Sequence, residues 1–571
     1  MQTRYPIDEE HLLDSYPRPQ MVRSSYTNLN GWWDFEIADN SDHPRYYTKR
    51  ILVPFSPETQ LSGLQIPIHP NQTMWYKRTF SHALQTIDDR LLLHLEAVDY
   101  HCVVYLNGEI VGEHQGGYLP FSFDITEFLT AENELVLQVS DPGDSEPIIR
   151  GKQASKAQGI YYQGQSGIHQ SIWLEEVPSR YIEQLVITPN LPQRCWYVRV
   201  VSNEGVHPVT ISYLDGERTC KGMSDQRLCC QVDEAHPWSP EDPYLYPFTI
   251  TMGSDIVSSY VGLRSFGVQD GQLLLNGKPY YHHGILDQGY WPHSLYTAPT
   301  DQAMIDDLVM VKKLGFNMVR KHAKIEPLRW YYHCDRLGLL VWQDMVSGGR
   351  APRQPIMSAP LFVPSFSIKD KHYTLLGSQD AAYRALFKRD LTQMITTLFN
   401  SVSIAMWVVF NEGWGQFDAK QMLCLVTSLD VSRTIDITSG WYDQGIGSFS
   451  SRHVYFKRYR HKMDARGRSV LLSEFGGYLY RVPGHDDERE KLFGYKQFFD
   501  RSSFNDAFFR LYEEQVYPAK CAGLAASVYT QLTDVQQEMN GLITFDRLVV
   551  KLDEVVALQV AALLLGRKEV E

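Results

Sequence analysis

Short apolar runs separated by turn residues fill the chain up to about residue 264. The run at 102–106 is followed at once by Asn107-Gly108, a dipeptide typical of type I′ hairpins, and by an outgoing strand at 109–111. Residues 121–125 alternate between apolar and polar positions, as a half-buried strand does. Further strand-like runs lie at 91–95, 134–139, 196–201, 209–213 and 248–252. This pattern predicts antiparallel β-sandwiches.

Beyond residue 265 the pattern changes to strands that alternate with helices. Thr300 is a plausible N-cap for a helix with apolar positions at Met304, Ile305 and Leu308, and Gly315 closes it. Further helices are predicted at 327–337 and 381–398, and strands at 280–286, 316–319, 339–342, 404–410, 434–438, 453–455, 470–472 and 524–529. About eight β/α units predict a (β/α)8 barrel. The doubly wound alternative would need a Gly-rich phosphate turn, which the sequence lacks.

A chain of 571 residues is too long for one hydrophobic core. We therefore predict a multidomain protein with three parts. These are an N-terminal β jelly roll at 1–180, an immunoglobulin-like β-sandwich at 181–265 and a C-terminal (β/α)8 TIM barrel at 266–571.

Composition narrows the partners and the compartment. The formal net charge is −13 and no long basic run occurs, which argues against nucleic-acid binding. The eight cysteines lack CxxC spacing, so a zinc ribbon is not expected. We expect no membrane association, because the most apolar C-terminal run, 555–565, is too short to span a bilayer. The N-terminus lacks the pattern of a secretory signal, so we expect a cytoplasmic protein with reduced thiols. A homo-oligomer is compatible with the sequence.

Two isolated glutamates follow apolar strands of the predicted barrel. Glu412 ends the run 404–411, and Glu474 ends the run 469–473; glycines follow both. Reactive residues of such barrels lie where strands end at the C-terminal face. Cleavage of a glycosidic bond needs an acid that protonates the leaving oxygen and a carboxylate that attacks the anomeric carbon. The pair therefore predicts a glycoside hydrolase, and a carboxyl separation of about 5–5.5 Å would give retention of configuration.

The motifs around these glutamates resemble those of glycoside hydrolase family 2. VVFNEGWGQFD at 408–418 and SEFGGY at 473–478 are similar to its acid/base and nucleophile motifs. The segments 262–266, 275–292, 316–322 and 529–547 resemble other parts of its barrel, and 104–126 and 165–175 resemble its sugar-binding jelly roll. The resemblance follows the family's domain order: jelly roll, immunoglobulin-like sandwich, barrel.

The resemblance implies a retaining exo-β-glycosidase that hydrolyses terminal β-linked sugars by double displacement. Glu412 would be the general acid/base and Glu474 the nucleophile. Arg320 would keep Glu474 ionised, and Asn411 would bond the sugar 2-hydroxyl. The other implied substrate-binding residues are His322, Tyr455, Asp287, Tyr529, Trp414 and Trp441. Each has a plainer interpretation: Asp287 as a turn residue, Arg320 and His322 as a rim ion-pair set, the tyrosines as packing residues and Trp414 as a helix-start residue.

The sugar is left open, with a preference for a β-galactoside. The family's β-glucuronidases carry an Asn-x-Lys pair for the substrate carboxylate, and the corresponding stretch 539–542 has no lysine. A β-glucuronidase remains the alternative because another cation could substitute, and an α-L-arabinopyranoside shares galactose's ring stereochemistry. His169 stands where a tryptophan is more usual, and Tyr529 where an aromatic residue such as tryptophan is frequent. A carbohydrate is the expected partner, and no metal or organic cofactor is predicted.

Two other classes of function compete with this interpretation. Ligand-type side chains could make the barrel a metal-dependent hydrolase; they are His282, His283, His322, His333 and Asp335. However, the adjacent His282 and His283 on one strand should face opposite sides. The other alternative is a non-catalytic carbohydrate-binding protein, which the presence of both glutamates argues against.

Overall fold

The computed structural model describes residues 4–39, 42–351, 356, 359–361, 363, 366–486 and 491–566. Across these residues, no helix has both the length and the apolar character needed to cross a membrane.

The N-terminal part is a sandwich of two antiparallel sheets. One sheet has six strands in the order Lys49–Val53, Gly31–Ala38, Thr73–Phe80, Asn133–Ser140, His101–Leu106 and Glu109–Gln115. The other has four, in the order Thr27–Asn28, Ile172–Val177, Arg90–Leu95 and Phe121–Asp124. Alternating apolar side chains of both sheets, such as Phe35 and Leu93, form one buried core. The predicted turn at Asn107-Gly108 joins two paired strands with φ of 53° and 86°, as a type I′ hairpin requires.

Short elements complete this sandwich. Val98–Asp99 pairs with Gly167–Ile168, and Gln153–Ala154 pairs in parallel with Tyr162–Gln163. Single 3-10 turns occur at Thr126–Phe128 and Gly143–Ser145.

A second, smaller sandwich follows. Its three-stranded sheet contains Ile182–Asn190, Cys195–Ser202 and Arg227–Gln231, and its four-stranded sheet contains Arg218–Met223, Pro208–Tyr213, Tyr246–Met252 and Asp255–Val261. The fully buried Trp196 packs between the sheets. A small sheet of Phe266–Gln269, Gln272–Leu275 and Lys278–Pro279 then leads into the last part of the chain.

Eight parallel strands form the C-terminal part. They are β1 (His282–Asp287), β2 (Met318–Lys321), β3 (Leu340–Asp344), β4 (Ile404–Asn411), β5 (Thr434–Ser439), β6 (Phe449–Val454), β7 (Ser469–Gly476) and β8 (Leu524–Thr530). Their order in the sheet is 5-4-3-2-1-8-7-6, so the sheet curls until its two ends are consecutive strands of the chain. Most strand residues are buried, as expected where both faces of a parallel sheet are covered. The structure is a nearly closed barrel, and the predicted fold class is confirmed.

Helices cover the outside of the barrel. They are Asp301–Lys313, Leu328–Leu337, Ala381–Leu398, Ala419–Leu429, Arg501–Leu511, Tyr517–Cys521 and Glu554–Leu565, with a π-helical turn at Tyr512–Val516. Thr300 caps the first helix as predicted, because its side chain accepts a hydrogen bond from the Ala303 N–H at 3.1 Å. Residues 440–448 and 455–468, all described, contain no helix, so β5 and β6 lack the covering helix of a regular β/α unit.

The sixth strand differs from its prediction. It was expected at 453–455 and runs from Phe449 to Val454. The first half of this strand was not predicted because it contains two serines, Ser450 and Ser451, which are typical of loops. Both are buried, and the Ser451 hydroxyl donates to the Asp436 carboxylate on β5. A hydrogen-bonded serine is thus accommodated inside the barrel.

Candidate active site

Strands β4 and β7 carry the two predicted carboxylates to one end of the barrel. Glu412 follows Asn411, the last residue of β4, and Glu474 lies near the end of β7. Glu412 has φ of +52°, a left-handed conformation that is costly for a residue with a Cβ. Its N–H donates to the Ser439 carbonyl at 2.9 Å, which ties the turn to the end of β5. The backbone strain therefore falls on a residue of the candidate site.

The two carboxylates share one small space. Glu412, Glu474 and His453 each offer a side-chain oxygen or nitrogen, and these atoms lie within 4.8 Å of one another. His453 Nδ1 is 2.8 Å from Glu412 Oε1, and its Nε2 is 3.6 Å from Glu474 Oε1. All three side chains are buried. A carboxylate pair at this separation can act on a single atom placed between them.

Arg320, at the end of β2, organises the floor of the site. Its Nε and Nη2 donate to both oxygens of Asp344, each at 3.0 Å. Its Nη1 donates to Glu474 Oε1 at 3.1 Å and to the Ser473 carbonyl at 3.0 Å. Its Nη2 also donates to the Asn411 side-chain oxygen at 2.8 Å. The guanidinium is fully buried, and its three nitrogens all bind acceptors of the protein.

Glu474 is held in its charged form. Burial alone would raise the pKa of this carboxyl, but its interactions with His453, Arg320 and His322 and the hydrogen bond from Tyr455 outweigh burial and lower the pKa to about 2. The Tyr455 hydroxyl donates to Glu474 Oε2 at 2.6 Å and lies 3.5 Å from Glu412 Oε1. The Tyr455 ring is fixed by stacking on Tyr495, with ring centroids 3.9 Å apart.

His322 and Asn411 lie in the same network. His322 Nδ1 is 2.6 Å from Asp344 Oδ2, the oxygen that also accepts from Arg320. Burial lowers the pKa of the His322 imidazole. The structure therefore brings Glu412, Glu474, Asn411, Arg320, His322 and Tyr455 together at one mouth of the barrel.

Trp414 and Trp441 lie on the rim. Trp414 follows Glu412 by two residues, and its ring stacks on Tyr161 of the N-terminal sandwich with centroids 5.3 Å apart. Trp441 belongs to a small apolar cluster with Leu376 and Tyr442, and its ring centroid lies 6.3 Å from that of His453. Among the described residues, neither indole N–H has a hydrogen-bond acceptor.

Asp287 and Tyr529 lie elsewhere. Asp287 Oδ2 accepts from Lys321 Nζ at 2.5 Å and Oδ1 from the Gly289 N–H at 2.9 Å, which makes it part of a separate buried ion cluster. Tyr529 is fully buried and packs edge-on against Phe475 and Phe508. The expectation that these two side chains face a sugar does not fit these positions.

Three site residues were missed from the sequence. Asp344 is an acid at the end of β3, which could have been noticed by the same strand-end rule that gave Glu412. His453 lies two residues before Tyr455, in a motif that was used only for the tyrosine. Tyr495 lies in the long segment between β7 and the helix Arg501–Leu511, and no local pattern marks it.

The candidate metal ligands named from the sequence do not gather. His282 accepts a hydrogen bond from Trp342 Nε1 at 3.0 Å, whereas His283 stacks on Phe316, so the two rings face opposite sides as predicted. Asp335 accepts from the backbone N–H groups of Val402 and Ser403. Within the described ranges, Glu412, His453 and Glu474 form the sole group of three metal-type ligands with atoms this close.

Comparison with protein families covers most of the chain. The family model described as "Glycosyl hydrolases family 2, TIM barrel domain" matches residues 266–549. The "sugar binding domain" model of the same family matches 27–178, and a third model, "Glycosyl hydrolases family 2", matches 198–264. The chain belongs to glycoside hydrolase family 2. The resemblance noted in the sequence is confirmed, including its order of parts.

Relatives within family 2 carry two different names. A putative beta-glucuronidase of Formosa agariphila is 25% identical over 71% of this chain, and a beta-galactosidase of Alteromonas mediterranea is 26% identical over 73% of it. The matches span 50% and 42% of those two longer proteins. Among solved structures, a Faecalibacterium prausnitzii beta-glucuronidase has a TM-score of 0.73 at 20% identity, with 96% of this chain and 99% of that chain covered. That similarity establishes the shared fold.

Proposed function

We propose that this chain is a retaining, exo-acting β-glycosidase that works by double displacement. The observation that carries the proposal is the pair Glu412 and Glu474, with carboxylate oxygens within 4.8 Å of each other at the barrel mouth. Retaining glycosidases have carboxyl groups about 5–5.5 Å apart, whereas inverting enzymes hold them about 6.5–9.5 Å apart to admit a water molecule. The closest approach of the two carboxylates supports the retaining arrangement.

In the first step, Glu474 attacks the anomeric carbon while the bond from that carbon to the leaving oxygen breaks. Glu412 gives its proton to the leaving oxygen, and a glycosyl ester forms on Glu474. In the second step, Glu412 takes a proton from water, the water oxygen attacks the anomeric carbon, and the ester bond breaks. Two inversions restore the original configuration.

The surroundings of each carboxylate support these roles. Glu474 is ionised by its contacts with Arg320 and Tyr455, as an attacking carboxylate must be. Glu412 has no contact with Arg320 among the described hydrogen bonds and ion pairs; its partners are His453 and, at 3.5 Å, Tyr455. Glu412 is therefore the carboxyl of the pair that the guanidinium does not bind, and we propose it as the group that exchanges a proton with the leaving oxygen.

The same network suggests sugar contacts. Asn411 is oriented by Arg320, and we propose that its amide bonds the sugar 2-hydroxyl. We propose that His322 contacts a sugar hydroxyl and that the sugar ring packs on Trp414 and Trp441. Binding pockets combine aromatic side chains with a few polar groups in this way. Asp287 and Tyr529 are not part of the proposed site, because their side chains bind or pack against other parts of the protein.

Two observations bear on which sugar the site accepts. The sequence favoured a β-galactoside because the stretch 539–542 lacks a lysine, and Glu538 and Asn540 are bonded to each other there. Lys152 of the N-terminal sandwich carries a cation whose Nζ lies 4.7 Å from the centroid of the Trp414 ring at the same mouth. This observation favours a β-uronide as a candidate beside the β-galactoside.

The test is a panel of nitrophenyl glycosides: β-D-galactoside, β-D-glucuronide, β-D-galacturonide and α-L-arabinopyranoside. We expect release of nitrophenol from at least one, with ¹H NMR showing that the sugar first formed has the anomeric configuration of the substrate. A first product of opposite configuration would contradict double displacement. Sugar binding without release of nitrophenol from any substrate would favour the carbohydrate-binding alternative.

Tyr455→Phe should make the enzyme sensitive to acid. The hydroxyl stabilises ionised Glu474, so its loss raises the pKa of that carboxyl, and the acid limb of the kcat/KM profile moves to higher pH. A hydrogen bond to a charged group contributes about 1.5–3 kcal/mol, which corresponds to roughly 1–2 pH units. Because the wild-type pKa is about 2, the limb should move to pH values of about 3–4. Initial rates from about pH 3 to pH 7 measure this.

Tyr480→Phe is the matched control, because Tyr480 packs on Phe504 away from the carboxylates. Circular dichroism at each pH separates titration from unfolding. An acid limb at the same pH in wild type and Tyr455→Phe would show that the hydroxyl does not control the ionisation of Glu474.

A strong chelator should leave activity unchanged, because both steps above use only protein side chains and water. The measurement compares kcat/KM before and after dialysis against the chelator. A loss that returns on adding a divalent cation would favour the metal-dependent alternative, with Glu412, His453 and Glu474 as the ligands.

A further inference from the structure

Lys152 belongs to the N-terminal sandwich but lies at the barrel mouth. The segment leading to it docks on the loop after β3, where the N–H groups of Arg150 and Gly151 donate to the Ser347 carbonyl at 3.1 and 2.9 Å. Gly151 has φ of +62°, and a Cβ there would lie 2.6 Å from the Ala323 carbonyl oxygen, so only glycine allows this close approach. The next residue, Lys152, is 6% exposed.

The Lys152 ammonium has a fixed position but no acceptor. Its Nζ lies 4.7 Å from the centroid of the Trp414 ring, two residues beyond Glu412. Its backbone carbonyl accepts from the Tyr162 N–H at 3.0 Å. Over the described part of the chain, Nζ forms neither a hydrogen bond nor an ion pair with another side chain or carbonyl. A lysine residue that is this little exposed normally has such a partner.

Other cations near the mouth are already paired. Arg320 binds Asp344 and Glu474, and Lys321 binds Asp287. The Glu538 carboxyl interacts electrostatically with Lys152, yet its two oxygens accept from the Tyr162 hydroxyl and from Asn540 Nδ2. Lys152 is thus the cation of this mouth that the described protein groups leave without an acceptor.

The charge of Lys152 influences side chains near the carboxylates. Burial raises the pKa of the Glu538 carboxyl, and the charge of Lys152 is the main opposing influence. Burial lowers the pKa of His322, and Lys152 lowers it further against the opposing hydrogen bond to Asp344. The positive charge therefore acts on His322 and Glu538, two groups that the charge of Glu474 also influences.

We propose that Lys152 binds an anionic substituent of the sugar and makes this enzyme selective for singly charged β-glycosides, either uronides or sulfate esters. This inference rests on the proposed glycosidase function. A substrate anion would supply the acceptor that the protein withholds, and such a charge-assisted bond is stronger than one to a neutral hydroxyl. A dianion is disfavoured because Glu412 and Glu474 lie in the same site and Glu538 is close enough for the charge of Glu474 to raise its pKa.

A cation at Lys152 accounts for the absence of the Asn-x-Lys pair from residues 539–542. Asn540 there binds Glu538 and Gln531 instead of facing a substrate as part of a lysine-containing motif. The positive charge comes instead from another domain, and the Tyr161–Trp414 stack and the Lys152–Trp414 contact hold that domain against the barrel.

The test compares kcat/KM for nitrophenyl β-D-galactoside, its 6-sulfate, β-D-glucuronide and β-D-galacturonide in wild type, Lys152→Met and Lys152→Arg. We expect wild type to prefer an anionic member. Lys152→Met should lower that preference roughly 30-fold or more, mainly through KM, because it leaves the substrate anion unpaired. Lys152→Arg should keep more of it. Lys156→Met is the matched control: it removes the same charge from an exposed position on the same segment and should change nothing.

Direct binding separates this inference from the proposed function. Calorimetry with glucuronate, galacturonate, galactose 6-sulfate and neutral galactose is done on wild type and on both variants, and needs no turnover. If no glycoside is cleaved but an anionic sugar binds in a Lys152-dependent way, the anion-binding role of Lys152 stands and the glycosidase proposal fails.

Several results would overturn the inference while leaving the glycosidase proposal intact. They are a preference of the wild type for the neutral galactoside, an equal loss on neutral and anionic substrates in Lys152→Met, and anionic sugars binding no better than galactose. Preference for the 6-sulfate alone, lost in Lys152→Met, would support the inference and identify the sulfate ester as the anion.

Discussion

Replacing Glu474 with glutamine should abolish hydrolysis of every glycoside, whatever its leaving group. The amide cannot form the glycosyl ester, so the double displacement loses its first bond. Removal of a nucleophile that acts within a catalytic unit costs roughly 10⁴- to 10⁶-fold in kcat. Steady-state rates with an activated nitrophenyl glycoside and with an alkyl glycoside measure the effect. The loss should be of similar size on both.

Two controls make this result specific. Glu513→Gln changes an exposed glutamate on the outer surface and should retain full activity. Glu474→Gly with added azide should regain turnover and release a glycosyl azide of inverted configuration, because the small anion replaces the missing carboxylate. Loss of activity in Glu474→Gln together with loss of the cooperative thermal transition would indicate misfolding, and the azide experiment then decides the role. Retention of more than a tenth of wild-type activity in folded Glu474→Gln would contradict the assignment.

Replacing Glu412 with glutamine should slow hydrolysis in proportion to how much the leaving group needs a proton. General acid catalysis contributes about 10²–10⁴-fold, so an alkyl glycoside should lose that much. Dinitrophenolate departs from its glycoside without being protonated. The first step on a dinitrophenyl glycoside should therefore be nearly unaffected, and the glycosyl ester should accumulate. A burst of dinitrophenol followed by a slow steady state measures this.

Rescue by azide provides the control for the Glu412→Gln variant. Added azide should speed the steady state of Glu412→Gln and give a glycosyl azide of retained configuration, since azide attacks the ester without base assistance. Equal losses on alkyl and dinitrophenyl substrates, with no burst, would mean that Glu412 does not transfer the proton.

The sequence alone predicted the fold and the two carboxylates because both depend on patterns along single strands. Glu412 and Glu474 each follow a buried apolar run, and parallel strands bring their C-terminal ends to the same rim. Which way a side chain faces is harder, since adjacent strand residues point to opposite sides. Arg320 faces the carboxylates, so its neighbour Lys321 faces away and takes Asp287, its partner on β1.

The direction of the Tyr529 side chain follows from the same alternation. Glu474 faces the mouth, so Phe475 faces outward, and Tyr529 pairs with Phe475 in the sheet and packs on it. A position at the end of a strand suggested that Tyr529 lies near the site, but it did not determine which way the side chain points. Side-chain directions alternate along each strand. Counting this alternation from Glu474 on β7 would have predicted that Tyr529 on β8 points away from the mouth.

Contacts between distant parts of the chain could not be predicted. Lys152 and Trp414 are far apart in the sequence and meet only because the N-terminal sandwich docks beside β4. The same docking places Tyr162 against Glu538. No local pattern encodes where one folded domain settles on another, since that depends on the whole of both surfaces.

The central claim is that one anomeric carbon is attacked by Glu474 while Glu412 serves the leaving group. Trapping with a 2-deoxy-2-fluoro glycoside bearing a dinitrophenyl leaving group tests it most directly, because the fluorine slows the second step and leaves the ester in place. Peptide mass mapping should find one sugar attached to Glu474, and the label should disappear as activity returns with an acceptor alcohol. A label on another residue, or turnover to a sugar of inverted configuration with no label, would contradict the account.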